Sequence, residues 1–388
     1  MDFALTEEQR AITDSVKRIC DGFGDEYWLR RDREGGFPQD FYEAMAAGGW
    51  LGICTSEALG GAGLGVTEAA LMMRAVTESG AGMAGASAIH MNIFGLKPVD
   101  LFGTDAQKWR MIPPIAQGRE KACFAVTEPD TGLNTTQLKL FAHKRGGTYH
   151  VSGQKIWIST AQVADRMLLL ARTTPLEEVK SAADGLSLFY TRFDRERITV
   201  REIDKMGRKC VDSNEVFFDD LRIPGDDLIG EEGKGFRYIL HGMNAERILV
   251  AAEAVGLGMA ALARATHYAR ERVVLNRPIG QNQGVQHPLA QSWCALDAAW
   301  LMTLRAAWLC DRGEPCGVEA NAAKYLAAEA CFDACQTAVM THGGFGYAKE
   351  YHVERYLREA VAVRIAPISP QLLLCFVAEK ALGLPKSY

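Results

Sequence analysis

The residues best suited to chemistry lie in a few short stretches. In Met243-Asn244-Ala245-Glu246-Arg247-Ile248-Leu249-Val250-Ala251-Ala252 a carboxylate stands among apolar neighbours. Kept dry, such a carboxylate becomes basic enough to take a proton from carbon. A glutamate near a helix start can equally lie on a solvated face, helped by the helix dipole. In Phe124-Ala125-Val126-Thr127-Glu128-Pro129-Asp130-Thr131-Gly132 a strand ends in Thr-Glu-Pro, so backbone groups and a hydroxyl line up at a turn that proline stiffens. In Gly153-Gln154-Lys155-Ile156-Trp157-Ile158-Ser159, alternation sets Trp157 and Ser159 on one strand face, an aromatic wall beside a hydroxyl. Alone, that pair also reads as a core tryptophan with an exposed serine. Arg272, in a stretch running from Tyr268 to Ile279 with Gln283 beyond, offers a guanidinium suited to phosphate, or is simply a charge near a helix end.

Three kinds of patterning must hold these stretches. Over residues 1–120 the pattern is helical, opening on the capping box Thr6-Glu7-Glu8-Gln9 ahead of Ile12, Val16 and Ile19. Residues 40–47 and 67–77 repeat apolar side chains at helical spacing. The glycines between 60 and 65 lack the Gly-Lys-Ser/Thr ending of a phosphate loop and read as a tight turn. Over 121–232 the period changes to two, with candidate strands at 122–126, 149–151, 156–159, 167–171, 186–191, 199–203 and 215–219. Short strands without helices between them predict an antiparallel barrel or sandwich. Over 233–388 helical periodicity returns at 236–274, 288–311 and 318–342, with a closing helix at 372–382, which predicts a four-helix bundle. The fold class expected is α+β, mainly α, in three domains. Gly256 and Gly258 interrupt the first long helix, where a missing Cβ lets another backbone approach.

With 48% hydrophobic and 23% charged residues, 388 residues suffice for two or three domains sharing a large core. A net charge of −5 gives no footprint for nucleic acid or an anionic membrane. None of the ten cysteines forms a Cys-x-x-Cys pair, so they read as buried thiols of a reducing cytosol and not as a metal site. No apolar run reads as long enough to span a bilayer, and the early capping box leaves no room for a signal peptide, so a cytoplasmic location is expected.

Taken together, the stretches resemble the acyl-CoA dehydrogenase family. Residues 124–132 resemble its A-x-T-E-P-x-A-G-S-D segment, residues 153–159 its G-x-K-x-[WY]-I-[TS]-N segment, and residues 268–283 its Y-x-x-x-R-x-x-F-G-x-P-I-x-x-F-Q segment. Thr341-His342-Gly343-Gly344-Phe345-Gly346-Tyr347 resembles Q-x-H-G-G-x-G-Y. The resemblance implies FAD, lined by Phe124, Val126, Thr127, Trp157 and Ser159, with Arg272 on the pyrophosphate and Gln283 close by. It implies that Gly343 and Gly344 let a partner subunit's FAD approach the backbone, and that Ser369 and Gln371 face the cofactor. Leu133 stands where the family's serine faces the acyl-CoA, and Arg247 would approach its CoA side. An acyl-CoA substrate, an electron-transferring flavoprotein and a homotetramer complete the implied partners.

One position departs from the family. Arg358-Glu359-Ala360-Val361-Ala362-Val363-Arg364-Ile365-Ala366-Pro367 resembles R-D-A-x-x-x-x-I-Y-E, with Pro367 in place of the glutamate that removes the α-proton. In isovaleryl and long-chain members the base sits instead on the helix just before the arginine, where Glu246 aligns. The implied reaction is oxidation of a saturated acyl-CoA to the trans-2-enoyl-CoA with Glu246 as base, on branched or longer acyl groups. Proline also lacks the N–H that holds the thioester oxygen. Losing one such donor costs ~2.7–4 kcal/mol in a transition state, unless a shifted loop lets Ile368 donate. Two rivals keep the scaffold: a thioester lyase of the desulfinase type, and an acyl-CoA-binding flavoprotein without turnover. A buried Glu246 facing the flavin separates the dehydrogenase from both.

Overall fold

The computed structural model describes residues 4–387. The predicted capping box forms: Gln9 N donates to Thr6 Oγ1 and Thr6 N donates to Gln9 Oε1, so helix α1 (Glu7–Cys20) starts there. Helices α2 (Asp25–Glu34), α3 (Gln39–Ala47), α4 (Val66–Val76), α5 (Gly82–Phe94), α6 (Lys97–Phe102) and α7 (Asp105–Ala116) follow. Trp28, Phe41, Tyr42, Met45, Met72 and Met73 fill the core between them. Helix α5 is threaded through that core, and of its residues only Ser87, His90, Met91 and Ile93 keep accessible surface.

The middle of the chain is one sheet built from β1 (Ala122–Ala125), β2 (Phe141–Arg145), β3 (Thr148–Ser159), β4 (Arg166–Arg172), β5 (Leu186–Arg192), β6 (Ile198–Glu202), β7 (Ser213–Pro224) and β8 (Leu228–Ile229). Its order is β6-β7-β3-β2-β4-β5-β8, with β1 beside β4. The pairing is antiparallel except at β1–β4 and the single β2–β4 contact, which are parallel. The rings of Tyr149 and Phe189, on strands that are not neighbours, lie 4.9 Å apart, so the sheet curls over its inner core. On its other face Leu168, Leu170, Leu186 and Leu188 pack against α6, α7 and the helical domain that follows. The segments expected as strands at 149–151 and 156–159 are one strand, β3, interrupted by irregularities between Val151 and Gly153 and between Lys155 and Ile158. Strand β2 was not anticipated: His143, Lys144 and Arg145 are exposed, so its apolar alternation is lost.

Helices α8 (Gly235–Glu271), α9 (Gln283–Asp311), α10 (Gly317–His342), α11 (Val353–Ile365) and α12 (Pro370–Leu382) form the last domain, with a small β9 (Val273–Val274) and β10 (Arg277–Pro278) hairpin. Contrary to the sequence expectation, α8 is apolar and long enough to cross a membrane; 83% of its most apolar 18-residue window is buried inside the fold, so this apolarity is core packing. A Cβ at Gly256 would lie 2.0 Å from Thr77 Oγ1, and one at Gly258 would lie 2.6 Å from Leu296 Cδ2, so both glycines are needed where α4 and α9 press on α8.

Ion pairs lock this domain to the rest. Arg358 donates to both Asp32 oxygens at 3.0 and 2.7 Å, and to the Met206 carbonyl at 2.8 Å. The buried Arg355–Glu359 pair is 3.1 Å apart, and Glu359 Oε2 accepts from Met83 N at 2.7 Å, which fixes the start of α5. Helix α5, the loop around Met206 and α11 are thus held as one rigid frame around α8.

Candidate active site

Glu246 lies about three turns inside α8 and not at its start, so a helix-end placement with solvated carboxylate does not apply. Glu246 is half-buried, and no described residue donates a hydrogen bond to its carboxyl. Burial raises its pKa above the ordinary carboxylate value, opposed by the charges of His90, Arg247 and Lys324 and assisted by Glu253. This is the environment a carboxylate needs to act as a base near neutral pH. Arg247 is half-buried, bonded to Asn244 Oδ1 at 3.2 Å; burial lowers its pKa and Glu246 opposes the shift.

The Thr-Glu-Pro and Gly-Gln-Lys-Ile-Trp-Ile-Ser stretches come together. Ile156 N donates to the Thr127 carbonyl at 3.0 Å, and Lys155 Nζ donates to the Val126 carbonyl at 2.8 Å and to Glu128 at 2.9 Å. Lys155 is fully buried; burial lowers its pKa to about 8, with Glu128 opposing. Glu128 in turn accepts from Lys139 N and Leu140 N at 2.7 and 3.0 Å. The glutamate and lysine of the two motifs are therefore a weld, a role not read from the sequence. Beside it, period two fails between buried Lys155 and Trp157: the bulge puts Trp157 at φ 61 with its indole 57% exposed. Among the described residues, the hydroxyls of Thr127 and Ser159 have no protein partner. An exposed indole face beside two free hydroxyls fits a flat ring with a hydrogen-bonding rim. Val126 buries its side chain in the sheet–helix core, and its carbonyl is taken by Lys155. The Phe124 ring lies tilted 6.0 Å from that of Phe94, which in turn contacts His90 (4.8 Å), linking this edge to the surroundings of Glu246. Leu133 stands in the following loop, 56% exposed.

Other expected residues are not gathered there. Arg272 is the C-cap of α8, about 39 Å along that helix from Glu246, and Gln283 opens α9; both are exposed. The Arg272 guanidinium lies 5.8 Å from the Phe345 ring, beside Gly343 and Gly344, where an added Cβ would meet nothing within 4 Å. This second cluster faces outward. Ser369 uses its hydroxyl to cap α12, accepting from Leu372 N at 3.4 Å, and Gln371 is exposed.

The loop with Pro367 returns to Glu246 through a residue that the sequence reading missed. Lys324, buried in α10, donates to the Ile368 carbonyl at 2.9 Å and the Arg364 carbonyl at 3.3 Å. Burial lowers its pKa to about 8, opposed by Glu329 and Glu246. His90, Arg208 and Glu253 were also missed. The signal was there for two of them: Glu253 is a charge inside the apolar Ala251–Gly258 stretch of α8, and His90 sits inside the apolar α5.

The family models for the acyl-CoA dehydrogenase N-terminal, middle and C-terminal domains match residues 6–119, 123–221 and 233–367. The chain is 37% identical to acyl-CoA dehydrogenase fadE12 of Mycobacterium bovis, over 100% of this chain and 99% of that one. It superposes on butyryl-CoA dehydrogenase from Megasphaera elsdenii with a TM-score of 0.93 at 28% identity, covering 98% and 100% of the two chains. An FAD complex of PigA matches with a TM-score of 0.93 at 26% identity, over 99% and 100%. From the weld that presents Trp157 to the long helix that carries Glu246, and along its whole length, the chain belongs to the acyl-CoA dehydrogenase family of FAD-dependent oxidoreductases.

Proposed function

We propose that the protein oxidises the α,β-bond of a saturated acyl-CoA to the trans-2-enoyl-CoA, with Glu246 as the base. The observation that carries this reading is a carboxyl deep in α8, without a hydrogen-bond donor among the described residues and with its pKa raised by burial. Bound FAD supplies the acceptor for the β-hydride. Thr127, Trp157 and Ser159 hold and orient its ring, and the Lys155–Glu128 weld keeps the strand edge rigid. Glu246 takes the α-proton, and Arg247 lies beside it on the CoA side. Lys324 ties the Pro367 loop down and keeps a positive charge near the carboxylate; Ile368 is the loop residue left to donate a backbone N–H. Arg272, about 39 Å along α8 from Glu246, and Gly343 and Gly344 beside the Phe345 ring that it covers lie too far away for the flavin that meets Glu246 in the same chain, and Gln283 opens the next helix. Their clustering supports a homo-oligomer, a tetramer, in which they serve a neighbour's cofactor. Electrons leave to an electron-transferring flavoprotein, and the enzyme works in the cytoplasm, in keeping with described cysteines that are all free thiols.

The test is anaerobic titration of the yellow protein with isovaleryl-, butyryl-, octanoyl- and palmitoyl-CoA. Bleaching by at least one, slowed ~10²–10⁴-fold in Glu246→Gln, is expected for a lost general base. Spectral shifts without bleaching would favour the lyase or the binding protein.

A further inference from the structure

The interior beside Glu246 holds more charge than proton abstraction requires. Helix α5 is buried along most of its length, yet Ser87 and His90, three residues apart on one face, are only half-buried. His90 Nδ1 lies 2.6 Å from Oε1 of Glu253, whose side chain is 2% exposed. Glu253 follows Glu246 by seven residues on α8, about 10.5 Å deeper along the same side of the helix. The third element that meets them is the loop before β7. There Arg208 takes the left-handed conformation (φ 54), strained for a side chain of its size, and is held from both flanks: Arg358 donates to the Met206 carbonyl at 2.8 Å and Lys209 to the Arg33 carbonyl at 2.7 Å. Its guanidinium donates to Ser87 Oγ at 2.8 Å and to no carboxylate among the described residues. The two acids whose charge reaches it are already engaged, Glu253 by His90 and Glu359 by Arg355 and Met83 N.

We propose that the space between these groups takes an acyl group whose far end carries a second carboxylate, bound by Arg208 and by the Nε2–H of protonated His90. Glu253 is the positioning residue: accepting from Nδ1–H it fixes the ring, and the protonated imidazole then has Nε2–H as its second donor. Burial opposes protonation of His90, but Glu253, by charge and hydrogen bond, and Glu246 outweigh both it and the charge of Arg208, so its pKa is raised. A plain hydrocarbon tail in the same place would strip water from a guanidinium and an imidazolium without replacing the lost acceptor. Sites built on hydrogen bonds reject analogues that lack the partner far more strongly than apolar pockets reject a missing methylene.

The proposal rests on the acyl-CoA reading and is tested by binding. The FAD-loaded protein is titrated with matched esters, glutaryl- against pentanoyl-CoA, adipyl- against hexanoyl-CoA and suberyl- against octanoyl-CoA, following the flavin spectrum. At least one dicarboxylic ester is expected to bind about 10-fold or more tightly than its partner, as a charged hydrogen bond provides. That preference shrinks as rising pH removes the His90 proton. Arg208→Gln weakens the dicarboxylic ester at least about tenfold more than the monocarboxylic one, and Arg208→Lys recovers part of the difference. Equal binding within every pair, or equal weakening of both members by Arg208→Gln, overturns the proposal. If no ester of either kind perturbs the flavin, the acyl-CoA reading itself falls and this inference falls with it.

Discussion

Replacing Lys324 by Met removes a buried ammonium and keeps most of its volume. Lys324 is 1% exposed and donates to Ile368 O at 2.9 Å and to Arg364 O at 3.3 Å. With the longer bond counted as weak, the two bonds contribute about 3 kcal/mol, at ~1.5–3 kcal/mol for a charged donor. Burial opposes them: it lowers the pKa from 10.5 to about 8, which at ~1.4 kcal/mol per pH unit is about 3 kcal/mol against the charged form. The two nearly cancel, so the stability of Lys324→Met at pH 7 is expected within about 2 kcal/mol of the parent. The pH dependence is sharper. Between pH 8 and 10.5 the unfolded chain holds a proton on Lys324 that the native protein has lost, so parent stability rises with pH across that window. The Met variant has no such group, and the parent should gain on it by about 3 kcal/mol from pH 7 to above 10. Function should move too. Without the ammonium, Glu246 loses a neighbouring positive charge, its pKa climbs further, and the acidic limb of flavin reduction shifts to higher pH. Guanidinium unfolding of the FAD-loaded proteins from pH 7 to 10, with stopped-flow flavin reduction across neutral pH, reads both effects. Parallel stability curves together with an unmoved acidic limb would refute the reasoning.

Glu246→Gln should stabilise the protein as well as slow it. With the native pKa raised, the folded state holds a proton that the unfolded state has lost, so parent stability falls as pH rises through that window, and the Gln variant should pull ahead at neutral pH in denaturant melts. Lys155→Met leaves Glu128 buried and unpaired, a loss of about 3–5 kcal/mol, and should lower bound flavin, read from the 450 nm absorbance per protein and from Tm. Gly256→Ala places a Cβ 2.0 Å from Thr77 Oγ1 and 2.4 Å from the Arg74 carbonyl; overpacking of about 1–3 kcal/mol or more should appear as a lower denaturation midpoint. An unchanged midpoint would mean that α4 and α8 can separate there without penalty.

Much of the architecture was legible because periodicity is a local property. The capping box at Thr6, the long helices and most strands follow from which neighbours in sequence are apolar, and Gly256 and Gly258 announced the close approaches that α4 and α9 make. The strand β2 escaped because its outer residues are charged, and β3 was read as two because bulges interrupt its alternation without ending its pairing. Glu246 could be singled out from its apolar neighbours and from family resemblance. Whether its carboxyl was dry could not, since helical position alone left a solvated face open.

By itself the sequence determined the order of helical, β and helical segments and the stretches that resemble the family's motifs, with Pro367 standing in the C-terminal one. Only the tertiary structure decided what those residues meet. Lys155 and Glu128 are far enough apart in sequence that their weld depends on strand pairing; Lys324 reaches the Pro367 loop from another helix; Ser87, His90, Arg208 and Glu253 converge from three separate segments. The reason is range. Backbone preference and amphipathic pattern act over one or two turns, whereas the energy of a charge depends on which groups packing brings within a few ångströms after water has left.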